Sequence, residues 1–385
     1  MSVVDRDARG DAVPLENVIA EAQRALSICN ACRYCEGYCA VFPALERRLS
    51  FDENDVHYLA NLCHNCGACL YACQYAPPHE FQLNLPRVLA EARQETYRRY
   101  AWPASLGCVF ARNGIVVSIV AAMSIVIFLV FTAWRAGPTR FFEAVSDSQG
   151  SFYAMLSHGV MVSAFGSVFA LAVIALIAAW TRFRTPIRAS PNRTAKEGAL
   201  VSAGRSAATL EYLEGGGDGC TYPTDKPSLA RRNFHHLTFY GFVLCFAATV
   251  VATFDHYVLG SVAPYPFLSA PVLLGTIGGL GLLIGPAGLL SLLLRRDPDL
   301  GDRRQRGMDI GFLVTLFMTS ASGLSLLAFR ETRAMGVLLA IHLGLVMALF
   351  LTLPYGKFVH ALYRFAALLR FHRERNTPTA DVRSE

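Results

Sequence analysis

The chain has 385 residues, of which 53% are hydrophobic and 17% are charged, and its formal net charge is +6 at pH 7. Such a composition is too apolar for an ordinary soluble protein of two domains. The positive charge does not indicate a nucleic-acid partner, because the basic residues flank long apolar runs. Mixed, charged sequence over residues 1–110, followed by alternating apolar and basic runs, predicts a soluble head on a membrane domain.

The head is predicted to be helical. Residues 14–26 repeat apolar side chains at helical spacing, and Asp52 begins a second helix that leads into Cys63. Because strand signals are scarce, we expect residues 1–110 to form an α-helical ferredoxin-like domain, as in the iron–sulfur subunits of succinate dehydrogenase. Residues 82–100 are amphipathic and rich in arginine, which places them either at the membrane surface or in a solvated helix that joins head and membrane.

Eight of the eleven cysteines fall into two copies of the spacing C-x2-C-x2-C-x3-C. In two-cluster ferredoxins the fourth cysteine of such a run binds the other cluster. The spacing therefore predicts two [4Fe-4S] clusters, one on Cys29, Cys32, Cys35 and Cys73, and the other on Cys63, Cys66, Cys69 and Cys39. Neither a disulfide framework nor a zinc site explains the duplication. The remaining cysteines, Cys108, Cys220 and Cys245, have no partner spacing.

Six apolar runs approach the roughly 20 residues that a helix needs to cross about 30 Å of hydrocarbon. They are residues 114–134, 152–180, 236–254, 272–294, 310–329 and 337–359. Each is predicted to be helical, because backbone groups cannot stay unpaired in lipid. The predicted fold class is therefore all-α, with a six-helix transmembrane bundle over residues 111–360 and a basic tail over residues 361–385. The glycines of the fourth run are expected to serve helix packing.

Arginine and lysine collect on one side of these runs, which predicts the topology. They precede the first run, fill residues 181–235 and the loop after the fourth run, and follow the last run. By the positive-inside rule, the head, the loop 181–235 and the C-terminus are cytoplasmic in a multi-pass protein of the bacterial inner membrane, in contact with lipid. Within that loop, residues 215–219 are expected to be a flexible linker, since a phosphate-binding turn would need a strand before it. Cys220 has no assigned role.

Histidines near the ends of the runs are the candidate haem ligands, since ionisable residues in a membrane usually serve function. His235, His236 and His360 fall on the predicted cytoplasmic side, and His256 and His342 on the outer side. Pairs at two depths predict one or two b-type haems, each held by two helices. Helical phase slightly favours His235 over His236, and the choice stays open. His342 and His360 are predicted to share one helix face, His158 is a reserve outer ligand, and interfacial histidines with one wet end are the alternative.

The cysteine head and the six runs, together with residues 231–242 (RRNFHHLTFYGF) and 353–360 (LPYGKFVH), resemble the tricarballylate (citrate) utilisation protein B family over nearly the whole chain. The resemblance implies that the protein takes electrons from a partner FAD-dependent dehydrogenase that oxidises tricarballylate. It further implies that they pass through [4Fe-4S] clusters and haem b to membrane quinone. The chain would then be the electron-transfer component and not the substrate dehydrogenase.

Two alternatives remain open. The chain could be a redox maturation or assembly factor for another complex, or the electron-transfer partner of a flavoprotein in cobalamin biosynthesis, where related membrane parts are found. A catalyst like heterodisulfide reductase is disfavoured, because no Cys-Cys dipeptide occurs in the sequence.

Overall fold

The computed structural model describes residues 15–144, 151–188 and 198–375. Parts of the predicted head, of the loop 181–235 and of the predicted tail, namely residues 1–14, 189–197 and 376–385, lie outside the described residues. Those described form fifteen α-helices and one antiparallel sheet of two short strands. The predicted all-α class is confirmed.

Five helices make up the head. They are α1 (Leu15–Cys32), α2 (Val41–Leu45), α3 (Glu53–Leu62), α4 (Ala68–Tyr71) and α5 (Leu85–Tyr100). Asp52 caps α3, as the sequence predicts, because its side chain accepts a hydrogen bond of 2.7 Å from the Asp55 amide. Fully buried leucines of three helices, Leu26, Leu59 and Leu89, belong to one core, so this core holds the cysteine loops that connect the helices.

Helix α5 covers most of the arginine-rich segment expected at the membrane surface or in a helix that joins head and membrane, and it packs on the head while also contacting α9 (His158–Arg184) and α13 (Arg303–Ala328) of the bundle. Val88 and Leu89 are buried there. Even Arg93 is only 5% exposed, and its Nε donates a hydrogen bond of 2.7 Å to the Ala60 carbonyl. The apolar face of this helix finds its partners on α1 and α3, which are packed against it.

Six regions in the described part of the chain are long and apolar enough to cross a membrane. Five of them contain α6 (Asn113–Ala136), α9 (His158–Arg184), α11 (Ala230–Val258), α12 (Ala270–Leu294) and α13 (Arg303–Ala328). The sixth begins with α14 (Met335–Thr352), and two short helices, α7 (Pro138–Phe141) and α8 (Ser151–Met155), precede α9. The chain is thus consistent with a multi-pass membrane protein.

Glycines of α12 allow it to pack closely on α11. A Cβ at Gly278 would lie 2.8 Å from the Gly241 carbonyl oxygen, and one at Gly285 would lie 2.5 Å from Thr238 Oγ1. Both distances are too short for any other residue without a shift of backbone or side chain. The contacts agree with the packing role predicted for these glycines.

The last predicted run does not form one helix. Helix α14 ends at Thr352, Leu353–Tyr355 form a 3-10 turn, and α15 (Val359–Arg375) begins a new helix. Pro354 lies in the turn, where its ring and its missing N–H prevent an α-helix from continuing. His342 and His360 therefore lie on different helices, contrary to the prediction that they share a face.

Helix α15 covers residues 361–375 of the basic tail predicted over residues 361–385, and it packs against α3, α9 and α10 (Ala199–Thr209). The Nη2 of Arg48 lies 2.5 Å from Glu374 Oε1, with both side chains almost fully buried. Arg370 Nη2 forms a second ion pair with Asp55 Oδ1 at 2.9 Å. These contacts attach the head to the membrane bundle through α15.

The segment between α10 and α11 folds back over the head. Its two strands, β1 (Cys220–Thr221) and β2 (Pro227–Ser228), pair antiparallel with Cys220 opposite Ser228. A Cβ at Gly216 would lie 3.1 Å from the Tyr38 ring. Residues 210–228, called the loop cap below, therefore form a structured cover and not the flexible linker predicted from the glycines.

Candidate functional site

One group of four cysteines gathers where α1 ends. Cys29 and Cys32 lie in its last turn, Cys35 lies in the turn that follows, and Cys73 comes from the loop after α4. Burial, followed by the neighbouring thiols of Cys73, Cys35 and Cys32, raises the pKa of Cys29 to about 12. All four line one cavity together with Cys69. We call these four residues the first quartet.

The other four cysteines form the second quartet: Cys39, Cys63, Cys66 and Cys69. Burial raises the pKa of Cys39 well above its ordinary value, and the thiols of Cys66 and Cys63 contribute next. The pKa of Cys69 is raised in the same way, by burial and then by Cys66, Cys63 and Cys39. Cys63 and Cys66 are each only 8% exposed, so this quartet is enclosed more deeply than the first.

The thiols thus group with the fourth cysteine of each run exchanged, as in two-cluster ferredoxins. Among residues 15–144, 151–188 and 198–375, no three His, Cys, Asp or Glu side chains are close enough to share a single metal ion. A cubane cluster makes a different demand, since each of its four irons takes one thiolate. The raised thiol pKa values also fit such a group, because bound iron supplies the positive charge that crowded thiolates lack.

His235 and His360 face each other at the end of the bundle next to the head. Their ring centroids are 6.1 Å apart and the ring planes cross at 78°. The His360 Nδ1 lies 2.5 Å from the Lys357 carbonyl oxygen, to which it donates, so its Nε2 is left as an acceptor. The ring of His236 lies instead against Tyr240, with centroids 5.8 Å apart.

The spacing of this pair suits two axial ligands of one iron. Two metal–nitrogen bonds of about 2 Å each, with the ring centres about 1 Å beyond the nitrogens, place two imidazole centroids roughly 6 Å apart. A backbone carbonyl that holds the far nitrogen of a ligating histidine is the usual second partner at metal sites. The His235 Nδ1 is buried and has no hydrogen-bond partner among the described residues. His235 and His360 would therefore be the residues to hold a haem iron, which would supply one-electron chemistry at this end of the bundle.

The histidines at the other end of the bundle are arranged differently. His256 stacks on His158, with centroids 4.1 Å apart and planes 29° from parallel, which is too close to admit a metal between the rings. His342 hydrogen bonds through Nδ1 to Ser322 Oγ at 3.0 Å. A Cβ at Gly323 would lie 2.9 Å from its Cε1, so α13 packs directly on this ring. The predicted outer pair of His256 and His342 is not brought together.

Two arginines join the second quartet to the histidine pair. Arg231 Nη1 donates a hydrogen bond of 2.8 Å to the Asn65 carbonyl, and Arg364 Nη2 donates one of 2.6 Å to the Cys63 carbonyl. Arg231 lies one helical turn before His235, and Arg364 lies one turn after His360. Each helix that carries a paired histidine is thus hydrogen bonded to the second cysteine loop.

His64 lies in the same cysteine loop, between the two carbonyl groups that accept these bonds. Burial, and then the charges of Arg364 and Arg231, lower its pKa well below the ordinary value, and His235 adds to the effect. His64 is therefore a neutral imidazole close to Arg364, Arg231 and His235. A histidine among loop cysteines is usually solvated or locally bonded, so the sequence alone does not single out this position.

Sequence reasoning also misses Cys220 and the two arginines. Cys220 is 0% exposed and belongs to the same buried cluster as Cys66. No cysteine spacing could reveal it, because the contact depends on how the loop cap folds. In the sequence, each arginine is four residues from a paired histidine. That spacing does not reveal that both arginines donate hydrogen bonds to the second cysteine loop.

Comparison with known proteins covers both parts of the chain. A family model described as Citrate utilization protein B matches residues 111–381, and one described as Citrate utilization protein B Fer4-like domain matches residues 22–99. A protein from Escherichia coli named Citrate utilization protein B is 52% identical over 357 residues, which is 92% of each chain. No solved structure matches the chain.

Proposed function

Because the chain belongs to the citrate utilization protein B family, we propose that it is a membrane electron-transfer protein that reoxidises a partner FAD-dependent dehydrogenase. The dehydrogenase would act on a carboxylic acid of the tricarballylate or citrate class. The electrons would reach membrane quinone through two [4Fe-4S] clusters, one on each quartet, and one haem b on His235 and His360. The family and its Fer4-like domain support the iron–sulfur part of this proposal.

The observation that carries the proposal is the connection between the second quartet and the histidine pair. Arg364 donates a hydrogen bond to the Cys63 carbonyl and lies on α15, the helix that also carries His360. Helix α15 thus connects a proposed cluster ligand with a proposed haem ligand. Arg231 repeats the arrangement on α11 with His235. A soluble ferredoxin would not need such an attachment, whereas a continuous electron path does.

The quartets suggest the order of the path. The first quartet lines a cavity at the head, where a partner could approach, and the second lies between it and the bundle. Clusters and haem carry single electrons, so when bound they would divide the two electrons of a reduced flavin. Oxidation of that flavin releases two protons as well, and reduction of the quinone to quinol consumes two electrons and two protons.

The orientation follows from the basic loops. With the head, the loop 181–235 and the C-terminus in the cytoplasm, the quartets occupy the reducing compartment that suits thiolate ligands. His235 and His360 would then lie near the cytoplasmic surface of the membrane, next to the head.

The test is a reconstituted electron path. The purified protein in lipid nanodiscs should contain eight irons in clusters and one b-type haem per chain. Reduction by a tricarballylate dehydrogenase and its substrate should bleach the cluster absorbance and reduce the haem, and a water-soluble quinone should then reoxidise both. A haem-free protein would overturn the membrane half of the proposal.

The two open alternatives give other outcomes. A flavoprotein from a cobalamin pathway that reduces the clusters, when the tricarballylate dehydrogenase does not, would replace the donor and keep the path. Failure of quinone to reoxidise the reduced protein would favour a maturation role, in which the electrons go to another complex.

A further inference from the structure

The loop cap makes the second quartet a covered site. A Cβ at Gly67 would lie 2.6 Å from the Thr221 carbonyl oxygen, so β1 lies directly on the residue that follows Cys66. Gly67 has a φ of +85°, which lets the cysteine loop turn beneath the strand without strain. A Cβ at Gly215, also in the cap, would lie 3.5 Å from the Ala68 Cβ. The cap therefore packs against Gly67 and Ala68, the two residues that follow Cys66.

This packing brings a ninth cysteine to the quartet. Cys220 is 0% exposed and packs in one buried cluster with Cys66, and its thiol lies close to the Cys66 thiol and to the Arg231 side chain. The guanidinium of Arg231 also lies over the Tyr222 ring, 4.6 Å from its centroid, and donates to the Asn65 carbonyl. Tyr222 in the cap and Arg231 in the first turn of α11 thus pack around the Cys220 thiol.

We propose that Cys220 is a positioning residue for the second cluster: its S–H donates a hydrogen bond to the sulfur of Cys66 and, backed by Arg231, raises the reduction potential of that cluster. The inference rests on the proposed function, in which the second quartet holds a cluster. Hydrogen bonds to cluster sulfurs and nearby charge are established determinants of the potential, because reduction adds negative charge that they stabilise.

The direction of the hydrogen bond follows from the chemistry of the ligand. An iron-bound sulfur carries no proton, so within this pair only Cys220 can donate. Its thiol has one other acceptor, the Leu213 carbonyl oxygen at 3.5 Å. The thiolate of Cys66 is the stronger acceptor of the two, because a hydrogen bond to an ionised group exceeds one between neutral groups.

The test is a redox titration of the whole protein in detergent, followed by electron paramagnetic resonance. The signal of the second cluster is identified by its loss in Cys63→Ser. Cys220→Ala should keep the full iron content and lower the midpoint of this cluster alone. At the potential that half-reduces it in the unmodified protein, the reduced-to-oxidised ratio should fall about tenfold, equal to about 59 mV for a one-electron couple.

Two further variants make the result decisive. Cys220→Ser keeps a donor on a shorter side chain, so its midpoint should lie between the other two. Cys108→Ala is the matched control, since that thiol is exposed and bonds to the Ser105 carbonyl within its own turn.

An unchanged midpoint in either Cys220 variant that keeps its iron overturns the proposal. Loss of one cluster in both variants also overturns it, because Cys220 would then be a ligand. Absence of a second cluster from the unmodified protein would refute the proposed function itself.

Discussion

The two ends of the membrane bundle each bring two histidine rings together, and they do so in different ways. Next to the head, His235 and His360 face each other at 6.1 Å across a gap that suits a metal. At the far end, His158 and His256 stack at 4.1 Å and leave no such gap. Proximity of two histidines in a membrane is therefore a weak indication of haem, and the separation of the rings is a stronger one.

The residues around the two histidine pairs also differ. A backbone carbonyl fixes the His360 ring, and an arginine one turn away on each helix bonds to the cysteine loop. The far pair is held by aromatic contacts, with His158 Nε2 at 3.1 Å from the Tyr257 hydroxyl. Of these two pairs, only the one beside the head leaves space for a metal between its rings.

The largest expected effect is complete loss of haem on changing His360 to Ala, because one axial bond of the iron would be missing. Haem content per protein is measured by the pyridine haemochrome spectrum. His236→Ala is the matched control, since His236 lies in the same turn of α11 as His235 but faces Tyr240. Full haem content in the His360 variant would remove this pair as the binding site.

The far end provides the converse experiment. His342→Ala should leave the haem content unchanged, because this ring is engaged with Ser322 and packed on Gly323. A fall to half the haem of the unmodified protein would restore the outer haem that depth alone predicts from the sequence.

Next in size is loss of half of the cluster iron, four of the nine irons expected per chain, on changing Cys63 to Ser, since only the second quartet contains that residue. Iron per protein is determined chemically on the purified variant. The haem should remain bound but no longer be reduced by the flavoprotein donor, which would separate the two halves of the path. Cys245→Ser, a thiol on α11 outside both quartets, is expected to retain all of the iron.

A smaller effect is expected from Arg364→Gln. The lost hydrogen bond to the Cys63 carbonyl involves a charged donor, and such bonds contribute about 1.5–3 kcal/mol, so the equilibrium constant for the docked arrangement should fall at least about tenfold. Stopped-flow reduction of the haem should slow by about that factor. Arg295→Gln removes an exposed arginine that bonds within its own helix, to the Ser291 carbonyl, and should not change the rate. Equal rates in all three proteins would mean that the arginine bridge is not part of the path.

Hydropathy and cysteine spacing predicted much of this molecule because both depend on local sequence. The six spans, the cap of α3 by Asp52 and the ferredoxin-like character of the head are of this kind. What could not be predicted depends on contacts between distant segments. Depth in the membrane placed His256 with His342, but α13 lies against the His342 ring, and the break at Pro354 moved His360 to a new helix. The position of Cys220 beside Cys66 could not be predicted either, because it depends on how the loop cap packs on the second cysteine loop.

The smallest effect concerns a third kind of histidine, one buried for structure. His57 is 0% exposed, and its Nδ1 lies 2.9 Å from the Tyr100 hydroxyl. Burial lowers its pKa from 6.5 to about 4, with Glu53 opposing the shift and Arg99 adding to it.

Between about pH 6.5 and about pH 4, the unfolded chain binds a proton at this ring and the folded head does not. The free energy of unfolding should therefore fall by about 1.4 kcal/mol per pH unit as the pH is lowered through this window. Thermal unfolding of the head at pH 7 and pH 5.5 should show a smaller drop in His57→Gln than in the unmodified protein, and equal drops would mean that this histidine is protonated in the folded head.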